Sequence, residues 1–453
     1  MVIVQNALPE LKRFLQAANL KAERCSMVTR LIVAFVMHRG RMSASQAATA
    51  VRCEPRHRSQ VCRFLCRKYW ESTAVLSTLY EQLLIVSAPQ GTWLFILDQT
   101  LCSQQGERTE NTYSSGNRQR RPRKGRRYNT YKHTRKRCHC FVMGLLITPA
   151  GIRIPVFKSY YTEDYCQKTG RPYRRQTELA ADLIRELPLP KGIALFVVGD
   201  TAFDAITIRE ACDARSYRWI VPLNPERVLA GKKPRPKVRS LVQEFSADQF
   251  KPVRLHPGRG EFVAQRRVSP HRMGPKTKPR TFYVHQERRD VHSVGEVRLV
   301  FSTRTCPQRG KPVEVQKILM TNDQTLAVAK IVELYDLRWQ IELFFKELKS
   351  TLGLHHYRFR KFAPVERWVE VVLATFLYLE WHRATQLRRR DLTKKQKRWW
   401  TTQRTFGLCQ AVRQTAERQE LRLLAKRLRT SRGVKQVQRM FENASTREYR
   451  CPI

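Results

Sequence analysis

Two aspartates follow apolar runs that are typical of buried strands. GTWLFILDQT, which begins at Gly91, carries Asp98, and IALFVVGD ends at Asp200. Polar side chains at the ends of buried strands emerge beside a crevice. If the two strands are neighbours, the carboxylates meet, and both then ionise readily only with a cation between them. Oxygen ligands favour Mg²⁺ or Mn²⁺ over zinc. The alternative is that each aspartate caps a helix or forms a turn.

A third acid, Glu342, lies in YDLRWQIELFFKELKSTLGLHHYR, from Tyr335 to Arg358, which predicts an amphipathic helix. At about 100° per residue, four polar side chains fall within roughly 60° of each other. These four are Tyr335, Arg338, Glu342 and Lys349. The apolar residues share the other side: Leu334, Leu337, Ile341, Phe344, Phe345, Leu348 and Leu352. Such a face can bind a metal ion through the acid while the cations hold phosphates. The alternative is an exposed helix with ordinary ion pairs, such as Glu342 with Lys346.

The charge balance predicts a polyanionic partner. The 453 residues include 86 Lys and Arg against 38 Asp and Glu, which gives a net charge of +48. Nucleic acid is the first expectation for so basic a chain, and an anionic membrane is the rival. The longest apolar run, Val371 to Leu379, is less than half of a membrane span, and the amino terminus lacks the pattern of a signal peptide. We therefore expect a cytoplasmic, nucleoid-associated protein that does not bind membranes.

The most basic segment is NRQRRPRKGRRYNTYKHTRKR, residues 117–137. Eleven of its 21 residues are Lys or Arg, none is acidic, and Tyr128 and Tyr131 are interleaved with them. A solvated charged segment usually carries both signs, so this composition predicts a loop that follows nucleic-acid phosphates. The candidate DNA-binding residues in it are Arg120, Arg121, Arg123, Lys124, Arg126 and Arg127.

The twelve cysteines form no repeating framework. In the cytoplasm this indicates reduced thiols. The cluster Cys138-His139-Cys140, with His133 nearby, could hold zinc, but the Cys-x-x-Cys pairs of structural zinc sites are missing. The alternative is that these are ordinary strand cysteines.

The periodicity of the chain predicts an α/β fold with a mixed sheet. Residues 1–78 are predicted to be helical, either as a DNA-binding helix-turn-helix or as a plain bundle. We expect the first part of the core at 79–224, a β-rich insertion at 225–318, a second part with the Glu342 helix at 319–385, and a basic helical region at 386–453.

The chain resembles a known family at three places. The spacing of Tyr335, Arg338, Glu342 and Lys349 resembles the Y-R-E-K signature of bacterial insertion-sequence DDE transposases of the IS-four type. The resemblance extends to LDQT around Asp98 and to VVGDTAFD, which contains Asp200 and Asp204. It covers about residues 90–385.

The resemblance implies an RNase H-like catalytic core in which Asp98, Asp200 and Glu342 bind two Mg²⁺ or Mn²⁺ ions. Members of the family bind the inverted repeats at the ends of an insertion sequence. They cleave these ends and join the freed 3′ hydroxyls to target DNA as a homodimeric synaptic complex on double-stranded DNA. By position, Tyr335, Arg338 and Lys349 would contact phosphates near the cleaved bond.

One departure concerns relatives that cut through a hairpin and stack a flipped base on a Trp of the inserted strands. No Trp occurs here between Trp219 and Trp339. An aromatic face can stack a base, so Phe282, Tyr283 or Phe301 could substitute. Two other functions stay open: a transposase-derived DNA-binding protein without activity, and an RNase H-like nuclease without strand transfer.

Overall fold

The structure is a computed structural model. It describes residues 9–16, 20, 22–38, 42–43, 46–47, 58–66, 72–85, 90–104, 108–115, 136–189, 192–231, 235–256, 279–430, 432–436 and 438–439.

Ten strands and thirteen helices of the described residues build the fold. The strands are β1 Trp93–Gln104, β2 Tyr113–Ser115, β3 Lys136–Ile147, β4 Arg153–Ser159, β5 Leu195–Val198, β6 Arg218–Pro222, β7 Lys251–Leu255, β8 Arg280–Val291, β9 Gly295–Thr303 and β10 Lys317–Thr321. The first seven helices are α1 Pro9–Gln16, α2 Ala22–Met37, α3 Arg58–Cys66, α4 Ser72–Ile85, α5 Glu163–Thr169, α6 Gln176–Arg185 and α7 Ile206–Asp213. The others are α8 Val238–Glu244, α9 Val328–Asp336, α10 Trp339–Ser350, α11 Phe362–Leu387, α12 Lys394–Thr402 and α13 Thr405–Arg427.

All ten strands belong to one mixed sheet. Its order is β2-β3-β1-β5-β6-β10-β9-β8-β7, and β4 also pairs with β3. The pairs β1–β5 and β5–β6 are parallel, and the other pairs are antiparallel. All four residues of β5 are buried, which is typical of a central strand with both faces covered. The predicted α/β class with a mixed sheet is confirmed.

Helices cover both faces of the sheet, as the alternation along β3 shows. The ring of His139 lies 4.9 Å from that of Phe362 in α11. On the opposite face, the Cys140 thiol lies 3.5 Å from the side-chain nitrogen of Gln176 in α6. Successive side chains of a strand point to opposite faces, so α6 and α11 lie on different sides of the sheet.

The strands predicted for residues 225–318 continue the central sheet. β7, β8 and β9 form antiparallel pairs, and β10 joins β9 to β6. The run GEFVAQRRV, which also predicts a strand, lies outside the described residues. The boundaries of the five predicted regions stay predictions.

Helices from both the amino-terminal and the carboxyl-terminal part of the chain pack on the long helix α11. Phe14 of α1 packs on Tyr378 with a ring separation of 5.7 Å, and Phe35 of α2 packs on Trp368 at 5.1 Å. Arg413 of α13 donates to the Val36 carbonyl at 2.7 Å, which ties the carboxyl-terminal helix to α2. Within the described residues, no helix has both the length and the apolar character needed to cross a membrane.

Candidate active site

Asp98 and Asp200 lie side by side across the parallel pair β1–β5. Ile96 is opposite Val198 in the register, and each aspartate follows two residues later. Asp200 comes just after β5 and caps the short 3₁₀ turn Thr201–Phe203, where its carboxylate accepts a hydrogen bond from the Thr201 N–H. The neighbouring strands that the apolar runs predict are therefore present.

Asp98 does not end its strand, and that part of the prediction is wrong. β1 continues to Gln104 because β3 pairs with it from Leu94 onward along its whole length. The pairing with β5 stops at Ile96, so Asp98 lies where one neighbour of β1 ends and the other continues. One side of β1 therefore opens next to Asp98.

Glu342 reaches this region from α10, which packs on β1. Its carboxylate accepts a hydrogen bond from Arg338, with 2.7 Å between Nη2 and Oε1. The side chains of Arg338 and Glu342 are 17% and 33% exposed. The ion partner of Glu342 is thus Arg338, four residues earlier, and not Lys346, which the alternative of an exposed helix suggested.

The predicted single helix from Tyr335 is two helices. α9 ends at Asp336 and α10 begins at Trp339. Between them the backbone forms a turn, in which the Gln340 N–H donates a hydrogen bond to the Leu337 carbonyl, three residues earlier, at 2.8 Å. The predicted apolar face is nevertheless buried on both sides of the break. No Pro or Gly occurs here, so a helix-breaking residue does not explain the interruption. The apolar face stays packed on the sheet across the break.

The three acids lie near enough to one another that Asp200 and Glu342 both influence the ionisation of Asp98. The pKa of Asp98 is raised to about 6, mainly by burial, and the Asp200 and Glu342 carboxylates act in the same direction. The hydrogen bond from the Gln99 N–H, at 2.7 Å, and the Arg338 guanidinium act in the opposite direction. We call Asp98, Asp200 and Glu342 the carboxylate cluster.

The donors of the carboxylate cluster suit a hard divalent cation. Three carboxylates offer only oxygen ligands, which Mg²⁺ and Mn²⁺ prefer. Within the part of the chain that the structure describes, however, no three Asp, Glu, His or Cys side chains are close enough to hold an ion. Glu342 is engaged by Arg338, so the cluster can close on a metal ion only if this side chain turns away from the arginine.

Asp204, in the same VVGDTAFD run, has a structural environment. Its carboxylate is 5% exposed and pairs with Arg209 and with Arg227, whose Nη2 lies 2.7 Å from Oδ2. Two guanidinium groups thus neutralise this acid and fix the loop after β5.

Tyr335 and Lys349 have partners inside the protein. The hydroxyl of Tyr335, a residue only 9% exposed, accepts a hydrogen bond from Lys317 at 3.2 Å. The ammonium group of Lys317 also lies 4.8 Å from the centre of the Tyr335 ring. Lys349 donates to the Leu101 carbonyl at 3.0 Å and so ties α10 to β1. Arg338 and Tyr335 line one cavity, whereas Lys349 lies against β1.

This cavity, which we call the cationic groove, has a volume of about 660 Å³. It lies between β8–β10 and the junction of α9 with α10. Its basic and aromatic lining residues are Arg280, Arg304, Lys317, Arg338, Arg404, Phe282, Tyr335 and Trp339. Trp339 is 55% exposed, and the Arg304 guanidinium lies 5.4 Å from the centre of the Phe282 ring.

Sequence reasoning missed several residues of the groove. Arg280 lies in β8, Lys317 in β10 and Arg304 just after β9, and only the fold reveals that these positions are close. Trp339 had a local signal, because a large aromatic next to Arg338 interrupts the apolar spacing of the helix. Exposed aromatic and basic side chains together are typical of nucleic-acid surfaces.

The three aromatic residues expected as base-stacking candidates have different positions. Phe282 lines the cationic groove. Tyr283 follows it in β8 and therefore points to the opposite face. Phe301 is completely buried and packs on Phe245 with a ring separation of 4.7 Å. The expectation that Phe301 could stack a base is wrong, because its ring belongs to the core.

The Cys138-His139-Cys140 cluster does not converge on a zinc ion. His139 points to the face opposite the two thiols, and its ring nitrogens lie 2.8 Å from the Tyr357 hydroxyl and 2.9 Å from the Glu110 carbonyl. The zinc interpretation of these three residues is therefore wrong, and all described cysteines are free thiols.

Part of the predicted DNA-binding surface lies outside the described residues. His133 and the basic candidates lie outside the described residues: Arg120, Arg121, Arg123, Lys124, Arg126 and Arg127. Their role in binding DNA stays a prediction.

Comparison with protein families gives two overlapping matches. Residues 13–243 match the model of the DDE superfamily endonucleases, and this stretch contains Asp98 and Asp200. Residues 166–378 match the transposase DDE domain, and this stretch contains Asp200 and Glu342. A search of curated proteins finds no match. Because the first match spans just over half of the chain and the second is a transposase domain, the chain belongs to the DDE endonuclease superfamily, as a DDE-type transposase.

Proposed function

We propose that this protein is an insertion-sequence transposase of the IS-four type. It binds the terminal inverted repeats of its element, cleaves the ends, and joins the 3′ hydroxyls to target DNA. The observation that supports this most directly is the carboxylate cluster, which lies beside Arg338 at the edge of the cationic groove. A DDE transposase needs acids for metal ions next to cations for DNA phosphates, and here one arginine adjoins both.

The carboxylate cluster would hold two Mg²⁺ or Mn²⁺ ions. Such ions activate the attacking oxygen and stabilise the leaving oxygen of a phosphodiester. Asp98 is oriented by the Gln99 N–H, and Asp200 by the Thr201 N–H. These two carboxylates are held by backbone groups, whereas the partner of Glu342 is the side chain of Arg338. Asp98 and Asp200 would therefore form the fixed part of the site and Glu342 the adjustable part.

Double-stranded DNA would lie along the cationic groove. Arg280, Arg304 and Lys317 offer cations from the sheet side, and Tyr335 and Arg338 lie at the junction of α9 with α10. Guanidinium groups bind phosphate through paired hydrogen bonds. These residues would hold the phosphates on both sides of the scissile bond, while the carboxylate cluster acts on that bond.

Other DNA contacts would come from outside the groove. Lys349 and the basic segment at 117–137 would bind further phosphates, and the amino-terminal helical region would bind the terminal repeat. The active form would be a homodimer that holds two ends, in a cytoplasmic protein associated with the nucleoid. The net charge of +48 supports close association with DNA.

A strand-transfer assay tests this function. The protein is incubated with Mg²⁺, a labelled DNA that carries the element's own ends, and an unlabelled target plasmid. We expect cleavage at the ends followed by labelled joined products, and neither from DNA with scrambled ends. End cleavage without joined products would instead indicate a nuclease, and end binding without any cleavage an inactive DNA-binding protein.

Replacement of Phe282 by Leu tests base stacking in the groove. Loss of a base–aromatic stack costs about 1–3 kcal/mol, or roughly 5- to 150-fold in affinity. We expect weaker binding of a transposon end with an unpaired terminal nucleotide, measured by fluorescence of 2-aminopurine at that position. Tyr283→Leu is the matched control, because Tyr283 is the adjacent residue of β8 on the opposite face. Equal losses in both variants would contradict a stacking role for Phe282.

A further inference from the structure

Arg338 lies between the carboxylate cluster and the cationic groove. Its guanidinium pairs with Glu342 at 2.7 Å, and both side chains are partly buried. The same guanidinium interacts electrostatically with Asp98 and with Asp200. Arg338 is thus a cation that the structure places against all three acids of the carboxylate cluster.

Arg338 also belongs to the cationic groove, where its neighbours are already paired. Arg280 forms an ion pair with Asp336, and Lys317 donates to the Tyr335 hydroxyl. A DNA phosphate bound in the groove would offer Arg338 a second anionic partner besides Glu342. The side chain has two alternatives: the Glu342 carboxylate, or a phosphate.

We propose that Arg338 is a resident counter-cation that divalent metal ions must displace from Glu342, and that it couples metal binding to DNA binding. This rests on the proposed function, in which the carboxylate cluster binds the metal ions. A metal ion and a guanidinium compete for one carboxylate, because each lowers the negative charge that attracts the other. Without DNA, Arg338 weakens metal binding. With DNA, a phosphate binds Arg338 in place of Glu342, and the affinity of the carboxylate cluster for metal ions rises.

Thermodynamic linkage makes this coupling reciprocal. If DNA raises the affinity for Mn²⁺ by some factor, Mn²⁺ raises the affinity for DNA by the same factor. The free protein therefore disfavours the metal-loaded state, and the cluster fills when an end is bound.

The test is the affinity for Mn²⁺, measured by calorimetry and by the paramagnetic resonance signal of free Mn²⁺, with no DNA cleavage involved. For Arg338→Met without DNA we expect about tenfold tighter Mn²⁺ binding, within the usual range of coupling between sites. Addition of an uncleavable DNA end should tighten Mn²⁺ binding to the wild-type protein and change the variant little. Arg338→Lys, which keeps a cation, should resemble the wild type.

The control is Arg280→Met, which removes a groove cation that pairs with Asp336 and should leave Mn²⁺ affinity without DNA unchanged. If Arg338→Met binds Mn²⁺ no more tightly than wild type while Glu342→Gln abolishes that binding, the counter-cation role is overturned and the metal site stands. If the wild-type protein binds Mn²⁺ no better than Glu342→Gln, with or without DNA, the metal site and with it the proposed function are overturned. Circular dichroism establishes that each variant is folded.

Discussion

Replacement of Glu342 by Gln should reduce cleavage of transposon ends by about a thousandfold, while binding to those ends changes little. The substitution keeps the shape of the side chain and removes its charge. Loss of one preorganised electrostatic group at a reacting centre commonly costs on the order of 10²–10³ in rate. Here the loss also removes one of three carboxylates that would hold the metal ions, so the larger end of that range is expected.

DNA binding should survive because the phosphate contacts come from other residues. Arg338, freed from Glu342 in the variant, would still be available to a phosphate in the groove. The measurement is single-turnover cleavage of labelled ends in Mg²⁺, with a parallel gel-shift titration of the same DNA. Asp98→Asn and Asp200→Asn should show the same separation of cleavage from binding.

Asp336→Asn provides a matched control for Glu342→Gln. Asp336 also lines the cationic groove, but it pairs with Arg280 and not with the carboxylate cluster. The two substitutions make the same change of charge within a few residues of each other. A comparable loss of cleavage in both would mean that the general potential of the groove, and not the cluster, controls the reaction.

The sequence predicted the acids of this site better than it predicted their surroundings. Apolar strands that lead to Asp98 and Asp200 have a strong local signal, because a central strand must be apolar on both faces. The pairing of β1 with β5 depends on contacts about a hundred residues apart. The sequence alone therefore could not show that the two strands are neighbours, and the meeting of the two aspartates depended on that assumption. The continuation of β1 past Asp98 depends in the same way on β3.

No local sequence pattern predicted that the basic residues of the cationic groove lie together. Arg280 and Lys317 lie on separate strands, Arg304 directly follows a third, and the three meet only after the sheet has formed. The break before Trp339 was missed for a related reason. Helical spacing of apolar residues continues across it, and only the tertiary packing shows that the segment is two helices.

The opposite side of α10 carries a second acid, Glu347, whose role is structural. Arg153, which is buried, donates to Glu347 at 3.0 Å and to Glu380 at 2.8 Å. Glu347 also accepts hydrogen bonds from the Thr405 N–H at 3.1 Å and from Arg404 at 3.2 Å. This network joins β4 and α10 to α11 and to the start of α13, so it fixes the helix that carries Glu342.

Replacement of Glu347 by Gln should lower the free energy of unfolding by about 3–5 kcal/mol, the usual cost of removing one partner of a buried ion pair. The cost arises because Arg153 stays buried with one of its two carboxylates gone. Urea unfolding at pH 7 measures it. Glu186→Gln is the control: Glu186 pairs with Lys158 at the surface, where its side chain is 56% exposed, and such pairs contribute at most about 1 kcal/mol.

The pH dependence of this difference gives an independent measurement. Burial opposes ionisation of Glu347, but Arg153 and Arg404 outweigh it and lower the pKa to about 2 from an ordinary value of 4.5. A carboxylate with a lowered pKa stabilises the fold fully above its unfolded pKa and loses that contribution as the pH falls. The gap between wild type and Glu347→Gln should therefore be constant above pH 4.5 and shrink as the pH falls from 4.5 towards 2. A gap that stays constant down to pH 3 would mean that the charge of Glu347 contributes nothing and that its hydrogen bonds alone hold α10 in place.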